Sequence, residues 1–426
     1  MFRFGRDLRR LFAQAREGRD RTWVELIGAD LLEAEARGQT VDAGRPACRR
    51  PIFAGLKASA LWREHARRTG RGASLARALS AATDAARAAT TPEQHAEAAL
   101  ETALCLILQF EQRGGPDVLK QAERILDGHG PLKGGALNAR IAGAHARLAA
   151  LGARQGGEMS AMLDASALLD AALHGLARRT DLADEAAELQ LDRAALALEA
   201  GLVRGDARLL DQAGRDLRAL VQAASPEYRP VTPARALTLC AAGLGALAAL
   251  ADDADARARA HEMFDAAADA FTPDHSPMDW AAIELARAAR DPSPDLARMI
   301  HVEAVTAGEG LILGALARER RVTLEVRQAA QTVDAAQLAR IETRLRRRLT
   351  GGGAADQPLD WAVDQIGLAQ VRLARMGLSG GDDARHLGLV LTEAAETARE
   401  LGAGLIADRA GQVMAALKQA SPSGPV

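Results

Sequence analysis

Apolar residues recur along this chain at helical spacing, and short breaks of proline, glycine and aspartate interrupt them. The pattern predicts helices of roughly 15–20 residues throughout. Thr91-Pro92-Glu93 supplies an N-cap and a proline at the first helical position, and Leu100, Leu104, Ile107 and Leu108 follow on one face. Gly114-Gly115-Pro116 ends that helix, and a second runs to about Gly128, so the pair reads as a helical hairpin. The same plan recurs in helices near 133–152 and 160–179, near 181–202 and 206–223, and near 233–250 and 255–271. Their turns fall at Gly156-Gly157, at Gly201 with Gly205-Asp206, and at Asp252-Asp253-Ala254-Asp255.

Beyond Asp291-Pro292-Ser293-Pro294 the rhythm is less regular. A long helix is expected from about 295 to 320, another near 333–349, and three more near 358–376, 382–401 and 403–419. Gly351-Gly352-Gly353 reads as a flexible joint. Arg321 to Val326 alternates like a strand, but with no partner strand in sight it is read as helix continuation or a connector. The first 90 residues do not follow the hairpin rhythm. Helices near 5–17, 20–37, 52–69 and 74–89, with a loop at 38–51, make them an N-terminal helical module or cap. The expected organisation is therefore 1–90 as N-terminal module, 91–350 as helical repeats, and 351–426 as a C-terminal repeat with capping helices.

Within this pattern a five-residue signature occurs twice, as Pro277-Met278-Asp279-Trp280-Ala281 and Pro358-Leu359-Asp360-Trp361-Ala362, in a chain holding only four tryptophans. The copies lie about two helix-hairpin lengths apart, and self-similarity at that period marks a stacked-repeat architecture. A structural role accounts for the residues: Ser276 or Asp274 caps, Pro277 fits the first turn, Asp279 favours the positive helix end and Trp280 fills space between hairpins. The run from Ala266 through Phe271-Thr272-Pro273 to Trp280-Ala281 resembles the junction between successive tetratricopeptide (TPR) repeats of bacterial type. Pro358 to Ala362, with Gln365, Leu368 and Gly377, is the closer match. What the resemblance implies is a right-handed superhelix of TPR-like hairpins whose concave groove binds a peptide or protein segment.

Composition sharpens the fold class. Aromatics make up only 3% of residues, with Tyr228 the single tyrosine, whereas alanine, leucine, arginine and glutamate abound. That excludes most β-rich folds and favours an all-α protein. The net charge of −2 argues against a nucleic-acid binder acting through its overall field. Lysine occurs only at 57, 120, 133 and 418, and the arginine excess reads as GC-rich coding rather than as selection for anion clamps. Cys48, Cys105 and Cys240 stand far apart with no CxxC pair, which fits a reducing compartment. The charged N-terminus lacks the apolar core of a signal peptide, and the uncharged run Ala236–Ala251 falls short of the roughly 20 apolar residues that span a bilayer. A cytoplasmic protein is expected.

Catalytic patterns are missing: there is no GxGxxG, GxxxxGK[ST], GxSxG or HExxH. His301-Val302-Glu303 lacks the PCxxC of zinc deaminases, and the Asp252–Asp255 loop lacks the glycine and glutamate of a calcium loop, so it reads as an N-cap cluster. No cofactor or metal is expected. Two surfaces stand out instead. Phe4, Leu8, Leu11 and Phe12 share one helical face, with Arg6, Arg9 and Arg10 among the rest, which makes a basic amphipathic helix suited to anionic lipid or an acidic partner. Arg340, Arg344, Arg347 and Arg348 cluster on a second helix and suit phosphate or an acidic peptide, or simply complement the helix dipole. The function expected from these features is a non-enzymatic scaffold or adaptor that binds a partner protein through a helical-repeat groove. The alternative is a regulatory protein that associates with a membrane surface or nucleic acid through arginine-rich helices.

Overall fold

The computed structural model describes residues 22–128, 132, 135–177, 179–223, 229–291, 293–308, 310–351, 357–379 and 384–420. Among these residues the fold is all-helical, with eighteen α-helices and no strand. After a 3-10 turn at Thr22–Leu26 come α1 (Ala29–Ala43), α2 (Pro51–Thr69), α3 (Gly72–Ala88), α4 (Pro92–Arg113), α5 (Pro116–Asp127) and α6 (Gly135–Gly156). They are followed by α7 (Met159–Leu176), α8 (Ala183–Arg204), α9 (Ala207–Ala223), α10 (Val231–Ala251), α11 (Ala254–Ala270) and α12 (Pro277–Arg290). The last six are α13 (Leu296–Val305), α14 (Ile312–Gln331), α15 (Ala335–Gly351), α16 (Pro358–Ser379), α17 (Ala384–Glu400) and α18 (Gly404–Ala420). The chain forms two compact units, one of Met1–Ile107 with Leu119–Arg290, the other of Leu108–Val118 with Asp291–Val426.

In the first unit three of the four expected hairpins are seen: α6 packs on α7, α8 on α9 and α10 on α11. Alternate helices also touch, α6 with α8, α8 with α10 and α10 with α12. Small residues permit this. A Cβ on Gly243 of α10 would sit 2.9 Å from Leu198 Cδ2 of α8, so a larger residue there would require that leucine to move. Asp253 Oδ1 accepts from Ala256 N–H at 3.0 Å, so the acidic loop is an N-cap as expected. α10 is long and apolar enough to cross a membrane by length and composition, and here it packs against α8, α9, α11 and α12.

Helix α2 occupies the middle of this unit rather than its edge. Leu61, Trp62, Ala58 and Ala66 are buried, and so are Lys57, Ser59, His65 and Arg68, so every face of the helix is covered. Its polar groups are satisfied accordingly: Ser59 Oγ donates to Ala78 O at 2.8 Å and Trp62 Nε1 to Thr40 Oγ1 at 2.9 Å. Arg68 donates to the Val24 and Ile27 carbonyls at 2.9 and 2.6 Å. That explains one departure from the sequence pattern. The helix expected over 20–37 is split into the 3-10 turn and α1, because the guanidinium of Arg68 takes two carbonyls there and Gly28 is extended. α2 also meets α12, more than two hundred residues further along the chain.

In the second unit α14 and α16 pack together, flanked by α13, α15, α17 and α18. The helix expected from 295 to 320 is two helices, because Gly308 and Gly310 take positive φ and break it. The alternating stretch Arg321–Val326 lies inside α14, as helix continuation. Within this unit Gly114 is the tightest point: its φ is +74°, and a Cβ would lie 1.6 Å from the Leu401 carbonyl oxygen. Gly114→Ala is therefore expected to destabilise the second unit by at least about 3 kcal/mol. Gly388→Ala, in open space on α17, should instead stabilise it by about 0.5–1 kcal/mol. Urea unfolding of the two variants checks the contrast.

Candidate functional site

A cavity of about 790 Å³ lies inside the first unit. Its walls come from α2, α4, α6 and α8, with Val24, Glu25 and the first turn of α10 closing one side. The lining is mixed. Phe53, Leu56, Leu100, Leu104, Leu137 and Leu189 give it an apolar floor, and arginines and carboxylates from every wall project into the rest.

Those charges are organised in pairs. On α6, Arg140, Arg147 and Arg154 recur every two helical turns, and on α8 so do Glu185, Asp192 and Glu199. Arg140 Nε meets Glu185 at 3.0 Å, Arg147 Nε meets Asp192 at 2.8 Å, and Arg154 Nε donates to Glu199 at 2.8 Å. Each carboxylate follows its arginine by 45 positions. A constant offset rather than a constant sum means that the two helices run parallel and in register. Two further rungs bind α2 into the wall. Arg63 Nε donates to Glu101 on α4 at 2.8 Å, and Arg67 Nη1 donates to Glu188 on α8 at 2.8 Å. Glu188 also accepts from Arg147 at 3.1 Å, so one carboxylate joins α2, α6 and α8.

Electrostatics follow from this enclosure. Burial would raise the Glu188 carboxyl, but Arg67, Arg147 and Arg63 outweigh it and hold it down at about 2. Burial would weaken the hold of Arg63 on its proton, yet Glu101 and its neighbours keep the guanidinium charged and above its ordinary range. Burial, with Glu101, pushes the Cys105 thiol up to about 12, so it is a core group and no nucleophile. Among the described residues no cluster of three or more histidines, cysteines or carboxylates is arranged to hold a metal.

At the edge of the cavity the N-terminal turn caps α10. Glu25 accepts from Val231 N–H at 2.8 Å, from Thr232 N–H at 3.1 Å and from Thr232 Oγ1 at 2.8 Å, and it pairs with Arg229. Asp184 of α8 binds the same Arg229 at 2.7 Å. The repeated Pro-x-Asp-Trp-Ala signature proves to be part of the same system of pairs. Asp279 accepts two hydrogen bonds from Arg235 of α10, at 2.9 and 2.8 Å, and one from Ser276 Oγ at 2.5 Å. In the second unit Asp360 receives Arg318 of α14 at 2.6 Å. The aspartate thus does more than favour the helix end, since it joins its helix to the first helix of the preceding pair. Trp280 and Trp361 pack on the adjoining apolar clusters, as expected.

The sequence-selected residues lie elsewhere. Phe4, Arg6, Leu8, Arg9, Arg10, Leu11 and Phe12 are outside the described residues. On α15, Arg344 pairs with Glu325, and Arg348 pairs with Asp364 at 2.9 Å. Arg340 and Arg347 are exposed and make no ion pair among the described residues. The four arginines therefore do not form one free cationic patch. Sequence reading missed Arg63, Arg67, Glu101, Arg147 and Glu188, although the matched spacing on α6 and α8 was a usable signal. Comparison with family models, curated proteins and solved structures finds no match to this chain.

Two predictions follow from the buried charges. Arg63→Met alone or Glu101→Leu alone should cost about 3–5 kcal/mol, because each leaves a buried charge unpaired, whereas the double replacement should recover most of that loss. A denaturant double-mutant cycle measures it. The second concerns His65, which is 1% exposed and shares a hydrogen bond with Ser74 at 2.9 Å. Burial, helped by Arg71 and Arg68 and opposed by Glu33, lowers its pKa. The unfolded chain then binds a proton that the folded chain refuses, so stability is full above pH 6.5 and falls below it, by up to about 1.4 kcal/mol per pH unit. Asp279 and Asp364, whose carboxyls burial pushes upward, act with the opposite sign. The test is therefore the difference in melting between the parent and His65→Gln from pH 7.5 to 5, and a constant difference would refute it.

Proposed function

We propose that the chain is a non-enzymatic protein–protein interaction scaffold, a right-handed solenoid of TPR-like hairpins that receives a partner polypeptide on the wall of the first-unit cavity. The observation that carries this reading is the in-register ladder joining α6 and α8. Parallel first helices at a fixed offset are what stacked hairpins require, and a wall fixed by interlocked pairs is preorganised for binding. The two Pro-x-Asp-Trp-Ala starts, each joined back to an arginine of the preceding pair, support the same repeat logic. The wall suits a polypeptide because it offers an apolar strip, Phe53, Leu56 and Leu104, bordered by the carboxylates Glu93, Glu97 and Glu185.

The proposed setting is the cytoplasm, supported by three free cysteines. The alternative, a binder of membrane or nucleic acid acting through arginine-rich helices, has less support, since Arg344 and Arg348 are already engaged by carboxylates. Crosslinking in cells, followed by mass spectrometry, tests the scaffold reading. One dominant partner should crosslink to α4, α6 or α8, and Leu104→Arg should cut its recovery at least tenfold while Ile300→Arg, on the exposed face of α13, leaves it unchanged. A partner retained by Leu104→Arg would sink the reading.

A further inference from the structure

The described chain enters at Thr22, and three residues on, Val24 and Glu25 already belong to the cavity wall. A 3-10 turn rises about 2 Å per residue, so Thr22 lies within roughly 6 Å of that wall along the turn axis. The 21 residues before it join the described chain at that point. They carry seven arginines against three acidic residues, and the helical spacing of Phe4, Leu8, Leu11 and Phe12 gathers their apolar side chains.

The cavity has the complementary character. Phe53, Leu56 and Leu104 are only half-buried there, so apolar surface faces a water-sized space that no described side chain fills. Every lining arginine is already claimed: Arg63 by Glu101, Arg67 and Arg147 by Glu188, Arg140 by Glu185, Arg229 by Glu25 and Asp184, Arg235 by Asp279, and Arg68 by Glu64 and two carbonyls. Glu93 makes no ion pair among the described residues and lines the same space, one turn before Glu97. What the wall still offers is apolar area and the Glu93 carboxylate, with Lys57 also on the lining.

We propose that residues 1–21 are the resident occupant of this cavity, their Phe4–Leu8–Leu11–Phe12 face against Phe53, Leu56 and Leu104 and their arginines toward Glu93. Reach is no obstacle. Residues 4–12 as helix span about 12 Å, and the nine residues after them extend to about 30 Å. Nor must the contact be strong. A short tether gives an effective concentration on the order of 1 mM, so an intrinsic Kd of about 0.1 mM already fills the site in roughly nine molecules of ten. If the cavity wall is also the partner site proposed above, the segment competes for it. That consequence rests on the scaffold reading, whereas the docking does not.

The test uses the purified full-length chain with a benzophenone side chain at position 12, irradiated without any partner and mapped by mass spectrometry. The expected product is intramolecular, joins position 12 to residues 53–64 or 93–104, and falls at least tenfold with Leu56→Glu plus Leu104→Glu. Glu93→Arg, at a half-buried position without an ion pair, keeps the test decisive if that double variant unfolds, and should lower the yield at least threefold. Products elsewhere on the chain, between chains, or with anionic phosphatidylglycerol vesicles in preference to the cavity would overturn the docking, as would a yield that neither variant changes. Partner capture is a separate measurement, so failure here leaves the scaffold reading standing, and the reverse.

Discussion

The arginine–carboxylate pair between successive first helices is the interaction on which the rest of the first unit depends. Helices this rich in alanine present little side-chain relief, so apolar packing alone leaves their axial register loosely set. A ladder with three rungs at two-turn spacing has one register in which every rung closes. A shift by one residue would break all three and leave charges facing the cavity unpaired. The net stabilisation of each pair is modest where it is half-exposed. Its larger effect is on specificity, since the misregistered alternatives carry the cost of desolvated, unmatched charge.

That constraint also explains why α2 sits inside rather than at the end. Two of its three arginines, Arg63 and Arg67, reach α4 and α8 across the cavity, while its apolar residues are spent on α1 and α3. The module α1–α3 is therefore joined to α4 and α8 by these pairs and packed within itself by apolar contact. Glu25 extends the arrangement by lending a carboxylate to the first turn of α10, 206 positions away from Val231. Serving as a remote N-cap, it satisfies two donors that α10 leaves open.

Much of this was legible in the sequence, and the rest was hidden for definite reasons. Helix class and approximate bounds followed from periodicity, and even the strand-like Arg321–Val326 was resolved by the want of a partner. The hairpin turns at Gly156-Gly157 and Asp252–Asp255 announced themselves through capping chemistry. Gly308 and Gly310 were misjudged because a pair of glycines weakens a helix without forbidding one, and only their positive φ makes the break. The split before α1 was invisible, since it depends on Arg68, some forty residues later. The cavity was hidden for the same reason: its charged residues read as ordinary solvated faces until the helices that carry them are set side by side. The arginine cluster on α15 looked free for the converse reason, because Glu325 and Asp364 belong to neighbouring helices.

The contact between α2 and α12, together with the cap that Glu25 places on α10, has a consequence for how the chain is made. At 5–20 residues per second, a ribosome needs roughly 10–40 s to deliver the two hundred or so residues that separate Glu25 from its acceptors. Early in that interval α2 can already pack on α1 and α3 and Arg68 can reach Val24 and Ile27, but Arg67 waits for Glu188 and Glu25 for Val231 and Thr232. Local hairpins can close as they appear, but this unit cannot complete its centre until its last helix is synthesised. Its folding is thus timed from the C-terminal side, and a pause in translation before α12 would leave the part of α2 that meets α12 uncovered until that helix arrives.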